Sequence, residues 1–238
     1  MRATEAKNRS SETAFYLGQP WQISKELISA KGMKPDIRLL RQGERCLVAK
    51  DFRNKGWIAA HLWGPLSLAY ERFLLDKAAG MSGIPQVVGF ENYKCLLITC
   101  INGEEIKSCR RRLDGSFFTK LLRLADDLHD RGVLHLDLGH KSNIMVDVNG
   151  NPAIIDFNSS LFLPPNRFFR PLIRRLALVD RYSILRLKVK YRPQECTKEE
   201  QSQVKFFLRV RKLWIFDRLL RKITNLSKRA PSKPEKKS

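Results

Sequence analysis

Residues 133–158 read VLHLDLGHKSNIMVDVNGNPAIIDFN, and the fold turns on how this stretch is parsed. The apolar pair Val133-Leu134 leads into His135 and Asp137, and a polar loop continues to Asn143. Residues 144–148 read as a short strand, Asn149-Gly150-Asn151 as a tight turn, and residues 153–155 as a second strand that delivers Asp156. Asn-Gly between two apolar runs signals a hairpin, because the turn needs positive φ and these two residues adopt it at little cost. The hairpin therefore holds Asn143 and Asp156 at the ends of neighbouring strands, with the Asp137 carboxylate close by. Hard oxygen ligands on a rigid frame suit Mg²⁺ bound to a nucleotide phosphate.

His135-x-Asp137, then Asn143, then Ile155-Asp156-Phe157, resembles the catalytic loop and metal-binding turn of the protein-kinase-like superfamily, H-R-D-L-x-x-x-N and D-F-G. The approach LHDRGVLH, residues 128–135, adds to the likeness: a helix ending in Leu-His, a Gly cap and a short apolar strand. Five residues separate Asp137 from Asn143 where the pattern has four, and Asn158 stands in place of the Gly. Within the superfamily the chain most resembles the small atypical bacterial branch of lipopolysaccharide-core sugar kinases and RIO-like kinases. The resemblance implies an α+β, two-lobed protein-kinase-like fold with a small antiparallel-sheet N-lobe and a reduced helical C-lobe.

The chain has 238 residues, 43% of them apolar, enough to bury a core in one domain or two small lobes. Its five cysteines are scattered and form no C-x-x-C pair, which argues for reduced thiols in a cytosolic compartment and against a structural zinc or disulfide framework. No apolar leader follows the initial Met, and no apolar run approaches the roughly 18 residues of a membrane span. The net charge of +21 is uneven: residues 161–238 hold 22 Lys+Arg against 6 Asp+Glu. An anionic partner surface and a plain solvated basic face both fit that asymmetry.

Residues 1–19 read as a flexible N-terminus and 20–101 as the sheet-bearing N-lobe. Residues 37–41 and 45–52 form a second hairpin around Gly43, and the turn at Gly32 stands where a phosphate-covering glycine loop would lie in the resemblance. Lys50 follows Val48-Ala49 much as in the family's V-A-I-K. A lysine on an inner strand needs an anionic partner to stay charged, and Glu71 is the candidate, on a helix opened by Gly64-Pro65 and ended by Gly80. Just before it, the uncharged run 56–70 contains Trp57, Ile58, Leu62, Trp63 and Leu66. Core packing is the favoured reading of this run, with an amphipathic membrane interface as the other.

The resemblance places the interlobe hinge at residues 99–101, where backbone groups near Thr99 and Ile101 would hold adenine. Residues 102–196 read as the C-lobe: the basic loop Cys109-Arg110-Arg111-Arg112, a helix over 116–129 with apolar residues at helical spacing, the catalytic loop, and Asp180 as the buried acid supporting that loop. Residues 197–226 read as a basic helical extension, partly packed on the C-lobe and partly on anionic membrane, and 227–238 as a disordered tail.

The roles implied are Lys50 on the phosphates of ATP, Glu71 orienting Lys50, Asn143 and Asp156 on Mg²⁺, and Asp137 as acceptor of the hydroxyl proton. His135 reads as a packing and hydrogen-bonding residue, while His140 and Lys141 face either phosphate, acceptor or solvent. No A-P-E follows Asp156, and little room remains for a peptide platform before Asp180, which favours a sugar or glycolipid hydroxyl. A cytoplasmic kinase at the inner membrane face follows. A RIO-like serine/threonine protein kinase and a nucleotide-binding pseudokinase are the alternatives, and nucleic acid is disfavoured because no reading module is present.

Overall fold

The computed structural model describes residues 12–28, 32–110 and 113–213. The first half is a six-stranded antiparallel sheet in the order β1-β2-β3-β4-β6-β5. Its strands are β1 Glu12–Tyr16, β2 Gln19–Ile28, β3 Asp36–Gln42, β4 Arg45–Asp51, β5 Val87–Glu91 and β6 Cys95–Thr99. The β3–β4 turn is the hairpin read around Gly43, which takes φ +56°. Alternation sorts the residues of β4 and β6 between the two faces. Leu47, Ala49, Cys95 and Leu97 pack with Tyr16, Trp21 and Leu40 on one side, while Val48, Leu96 and Ile98 join the main core on the other.

The expectation of a flexible segment over 1–19 is corrected in its second part. Strand β1 pairs with β2 from Glu12↔Ile23 to Tyr16↔Gln19, and Tyr16 is buried in the sheet's own cluster. The polar start of the strand conceals that one anchor in the sequence. Residues 1–11 lie outside the described residues.

Between β4 and β5 a single wide turn, Ala59–Trp63, runs directly into helix α1, Gly64–Lys77. Gly64 meets this sheet closely: a Cβ there would lie 2.5 Å from both the Phe52 ring and the Ala59 carbonyl. The small residues Ala59, Ala60 and Gly64 are buried, and the large ones point away. Trp57 is 72% exposed, Ile58 59%, Leu62 65%, Trp63 49% and Leu66 65%, so the reading of this run as core packing is overturned.

The second half is mainly helical. It comprises β7 Gly103–Glu105, α2 Gly115–Asp130, β8 Val133–Leu134, β9 Ile144–Asp147, β10 Pro152–Ile154, β11 Leu161–Phe162, α3 Arg170–Tyr191 and α4 Lys198–Leu213. Asp114 caps α2, its carboxylate accepting from the Phe117 N–H at 2.9 Å. The buried face of α2, including Phe117, Phe118, Leu121, Leu124 and Leu128, forms one core with Leu68 and Leu74 of α1 and with Leu96 of β6. Each such fully buried side chain contributes roughly 1.5–3 kcal/mol. Helix α4 packs on α3 through the Lys188–Glu200 ion pair, the stacked rings of Tyr182 and Phe207, and buried Val204. The rest of the extension, 214–226, and the tail at 227–238 lie outside the described residues. The architecture is α+β, and no helix among the described residues is long and apolar enough to cross a membrane.

Candidate active site

The β9–β10 hairpin forms with Ala153 opposite Met145 and Ile154 opposite Ile144. Beyond its paired residues the Ile155 N–H donates to the Asn143 carbonyl at 2.9 Å, which places Asn143 and Asp156 at adjacent strand ends. Asn143 is buried, and its Nδ2 donates both to Asp137 Oδ2 at 3.0 Å and to the Asp137 carbonyl at 3.1 Å. These two bonds fix the direction of the Asp137 carboxylate despite the extra residue in the loop.

Lys50 lies inside, 4% exposed, on the face of β4 that looks toward the helical half. Its Nζ donates to Glu71 Oε1 at 2.5 Å and approaches Asp156 Oδ1 at 3.5 Å. Glu71 is 1% exposed, and its Oε2 is a buried oxygen with no protein partner among the described residues. Burial works to lower the Lys50 pKa, but the charges of Glu71 and Asp156 outweigh it and the net shift is upward. Asp156 shows the converse. Partial burial raises its pKa, whereas Lys50, with help from Asn158, brings it below the ordinary carboxylate value. The ammonium thus joins a carboxylate of α1 to a carboxylate that follows the hairpin.

Two residues here occupy the left-handed region that glycine usually fills: Leu136 at φ +62° and Asp156 at φ +66°. Strain of this kind, of order 1–3 kcal/mol per residue, persists only where surroundings over-determine it. For Leu136 the surroundings are Asp180, wholly buried on α3. The Asp180 carboxylate accepts from the N–H groups of His135 at 2.9 Å and Leu136 at 2.7 Å, and pairs with His129 Nε2 at 3.0 Å. The expected supporting acid is therefore a loop clamp rather than an exposed salt-bridge residue.

His135 is 1% exposed, and burial, which outweighs the opposing pull of Asp180, lowers its pKa. The neutral ring donates from Nε2 to the Ile155 carbonyl at 3.1 Å and meets the Phe157 ring edge-on. It is the packing residue anticipated, tying the loop to the segment that presents Asp156. Phe157 is buried, and Asn158 donates from Nδ2 to Asp156 Oδ1 at 2.8 Å.

Gly32 takes φ +80° in the turn between β2 and β3. Because Ile37 pairs with both Ile28 and Lys50, that turn lies at the Lys50 end of the sheet. Thr99 departs from its reading as an adenine-holding residue. Its N–H donates to the Gln86 carbonyl at 2.8 Å, and its hydroxyl accepts from the Gln86 N–H at 2.8 Å, so both groups serve the sheet edge. The chain leaves the sheet only after the Cys100 N–H bonds to the Cys46 carbonyl, which keeps Ile101 as the hinge candidate.

Arg186 and Lys190 of α3 add to the basic residues Arg110 and Lys141 beside the loop. Arg186 donates to the Gly139 carbonyl at 3.3 Å. Lys190 lies one turn further along α3, and repulsion from Lys141, with Arg110 and Arg186 adding to it, lowers its pKa. The only sequence signal was the i, i+4 spacing of Arg186 and Lys190, lost among many basic residues.

The donor set fits Mg²⁺. Asp156 is half exposed, and the Asn143 amide oxygen, which also accepts from the Ser142 hydroxyl at 3.2 Å, stands at the neighbouring strand end; these two would hold the ion and leave its remaining positions to water and phosphate. Compared with known proteins, the chain matches no family model and no curated relative.

Proposed function

We propose that the protein is a kinase of the two-lobed, protein-kinase-like type, transferring phosphate from ATP to a hydroxyl on a lipopolysaccharide-core sugar or related glycolipid. The observation that carries this reading is the buried Lys50, held between Glu71 and Asp156 from two different parts of the fold. A buried ion pair is poor evidence of stabilisation, since apolar residues fill such space as well or better. A second, half-exposed carboxylate beside the same ammonium is instead what a Mg²⁺-bound phosphate would meet.

In this reading Lys50 binds phosphate oxygens and Glu71 keeps the ammonium charged and aimed. Asp156 and Asn143 would hold Mg²⁺, which supplies charge neutralisation on the phosphates when bound. Asp137, oriented by the Asn143 amide, accepts the proton of the attacking hydroxyl as the new oxygen–phosphorus bond forms and the bond from the γ-phosphorus to the bridging oxygen breaks, releasing ADP. The short connection from Phe157 to α3 leaves no extended peptide platform, and the Lys141, Lys190, Arg186 and Arg110 group favours an acceptor bearing its own negative charge.

One observation favours a second reading, a nucleotide-binding module without turnover: the Asn158 amide already engages Asp156 Oδ1. Mg-ATP turnover with a panel of core sugars and glycolipids separates the two. The kinase reading expects phosphate on the acceptor and a loss of about 10²–10⁴-fold in Asp137→Ala, with nucleotide binding retained. Nucleotide binding with no transfer to any acceptor, and no difference between wild type and Asp137→Ala, would establish the binding module instead.

A further inference from the structure

We propose that the outward face of residues 57–66 is a membrane-docking surface that seats in the interfacial zone of an anionic lipid bilayer. The segment is amphipathic in the reverse sense to a surface helix. Its small residues Ala59, Ala60 and Gly64 pack inward, and its largest apolar side chains face water. Tyr70 and Phe73, further along α1, turn toward β11 instead, where the Tyr70 hydroxyl donates to the Ser160 carbonyl at 3.2 Å and the Phe73 ring meets Phe162 edge-on. From residue 57 to residue 66 the outward side chains make an apolar edge about 14 Å long at the helical rise of about 1.5 Å per residue.

A patch of this kind on a protein surface marks an interaction site, and its chemistry selects a membrane over a protein partner. No Asp, Glu, Lys or Arg occurs from Gly56 to Tyr70, so the segment itself offers none of the charged pairs that rim a protein interface. Two tryptophans stand among the aliphatic side chains, and Tyr93, 54% exposed, lies nearby with Lys94 over its ring. The Lys94 ammonium reaches His61 of the segment at 2.8 Å. Trp and Tyr at headgroup depth, aliphatic side chains below, and a lysine reaching back to the headgroups are the composition of an interfacial anchor. The net charge of +21, most of it in residues 161–238, draws the chain as a whole toward anionic lipid, and Lys94 is the cation beside this face. Glu71 points inward from the same helix, so docking leaves the Lys50 pair undisturbed.

This inference stands apart from phosphoryl transfer, since a chain with no turnover would still dock. The test uses the full chain in a Trp21→Phe, Trp214→Phe background, which leaves Trp57 and Trp63 as reporters. Vesicles of phosphatidylethanolamine and phosphatidylglycerol are compared with vesicles of phosphatidylcholine alone. The expected result is co-sedimentation with the anionic vesicles, a blue shift of the tryptophan emission, and quenching by brominated acyl chains. Ile58→Ser with Leu62→Ser should weaken co-sedimentation by roughly tenfold or more, with an unchanged circular dichroism spectrum. Absence of binding to either vesicle overturns the proposal. So does binding that the double variant leaves intact, which would assign it to the basic C-terminal region. So too does a dimer in solution that this variant converts to monomer, which would assign the face to a second copy of the chain.

Discussion

Lys50 and His135 are both buried bases whose pKa values move in opposite directions, and the cause lies in their neighbours. Lys50 has two carboxylates within reach, and its pKa rises above the lysine value of 10.5. Its contribution to stability is therefore complete below 10.5 and is lost only as pH climbs through the folded value. His135 has no carboxylate against its ring nitrogens, only the Ile155 carbonyl, and its pKa falls below 6.5. The unfolded chain then binds the proton more readily, so stability is full above pH 6.5 and declines as pH drops through the folded value. Thermal melts from pH 7 down to pH 5 should show this decline, and His135→Gln should flatten it; an equal slope in the variant refutes the assignment. Removing one partner of the lysine pair acts differently. Lys50→Ala strands the Glu71 carboxylate in the core and should lower stability by about 3–5 kcal/mol at neutral pH, measured by denaturant unfolding. Glu71→Gln removes the excess charge together with its partner's attraction, so a smaller loss is expected.

Helix α1 depends on close approach to the sheet. Gly64 has no spare volume, with the Phe52 ring and the Ala59 carbonyl each 2.5 Å from where a Cβ would stand. Gly64→Ala should therefore destabilise by about 1–3 kcal/mol through overpacking, despite alanine's higher helix propensity. At this chain length that corresponds to a fall in melting temperature of roughly 2–4 °C per kcal/mol. A stabilised variant would show that the helix does not sit as described. Helix α3 buries Ile173, Ile184 and Leu187 and in addition carries Asp180 beneath the loop. Asp180→Ala leaves the His135 and Leu136 N–H groups without their acceptor in a buried place, each at a cost of about 1–3 kcal/mol. If the chain transfers phosphate as proposed, the substitution should also lower turnover, since Leu136 keeps its left-handed conformation under that clamp.

Across the molecule, the two halves share one core and the Lys50–Asp156 contact, so a ligand seated between them should report on both. If ATP with Mg²⁺ binds as proposed, a concentration about a hundredfold above its Kd should add about 2.7 kcal/mol of stability. The melting temperature should rise by roughly 5–10 °C for a chain of this size. Asp156→Asn should remove most of the increment that depends on Mg²⁺ while leaving a smaller shift from nucleotide alone. An identical shift with and without the divalent ion would remove Asp156 and Asn143 from the metal role.

The hairpin over 144–154 was legible from residue order alone, because Asn-Gly between two apolar runs favours a tight turn. The α+β class and the inward placing of Lys50 came through the family resemblance, and Glu71 followed as partner because a buried ammonium needs a carboxylate. What the order of residues left open was set by the environment opposite each segment. An uncharged run rich in tryptophan has the same composition in a core and on an exposed edge, and only the seating of Gly64 against Phe52 turns residues 57–66 outward. Thr99 reads as a hinge residue until the strand beside it claims its N–H and hydroxyl, and Leu136 bears no mark of its positive φ. Periodicity describes how a chain alternates between two sides; which side meets protein is decided when the halves close on one another.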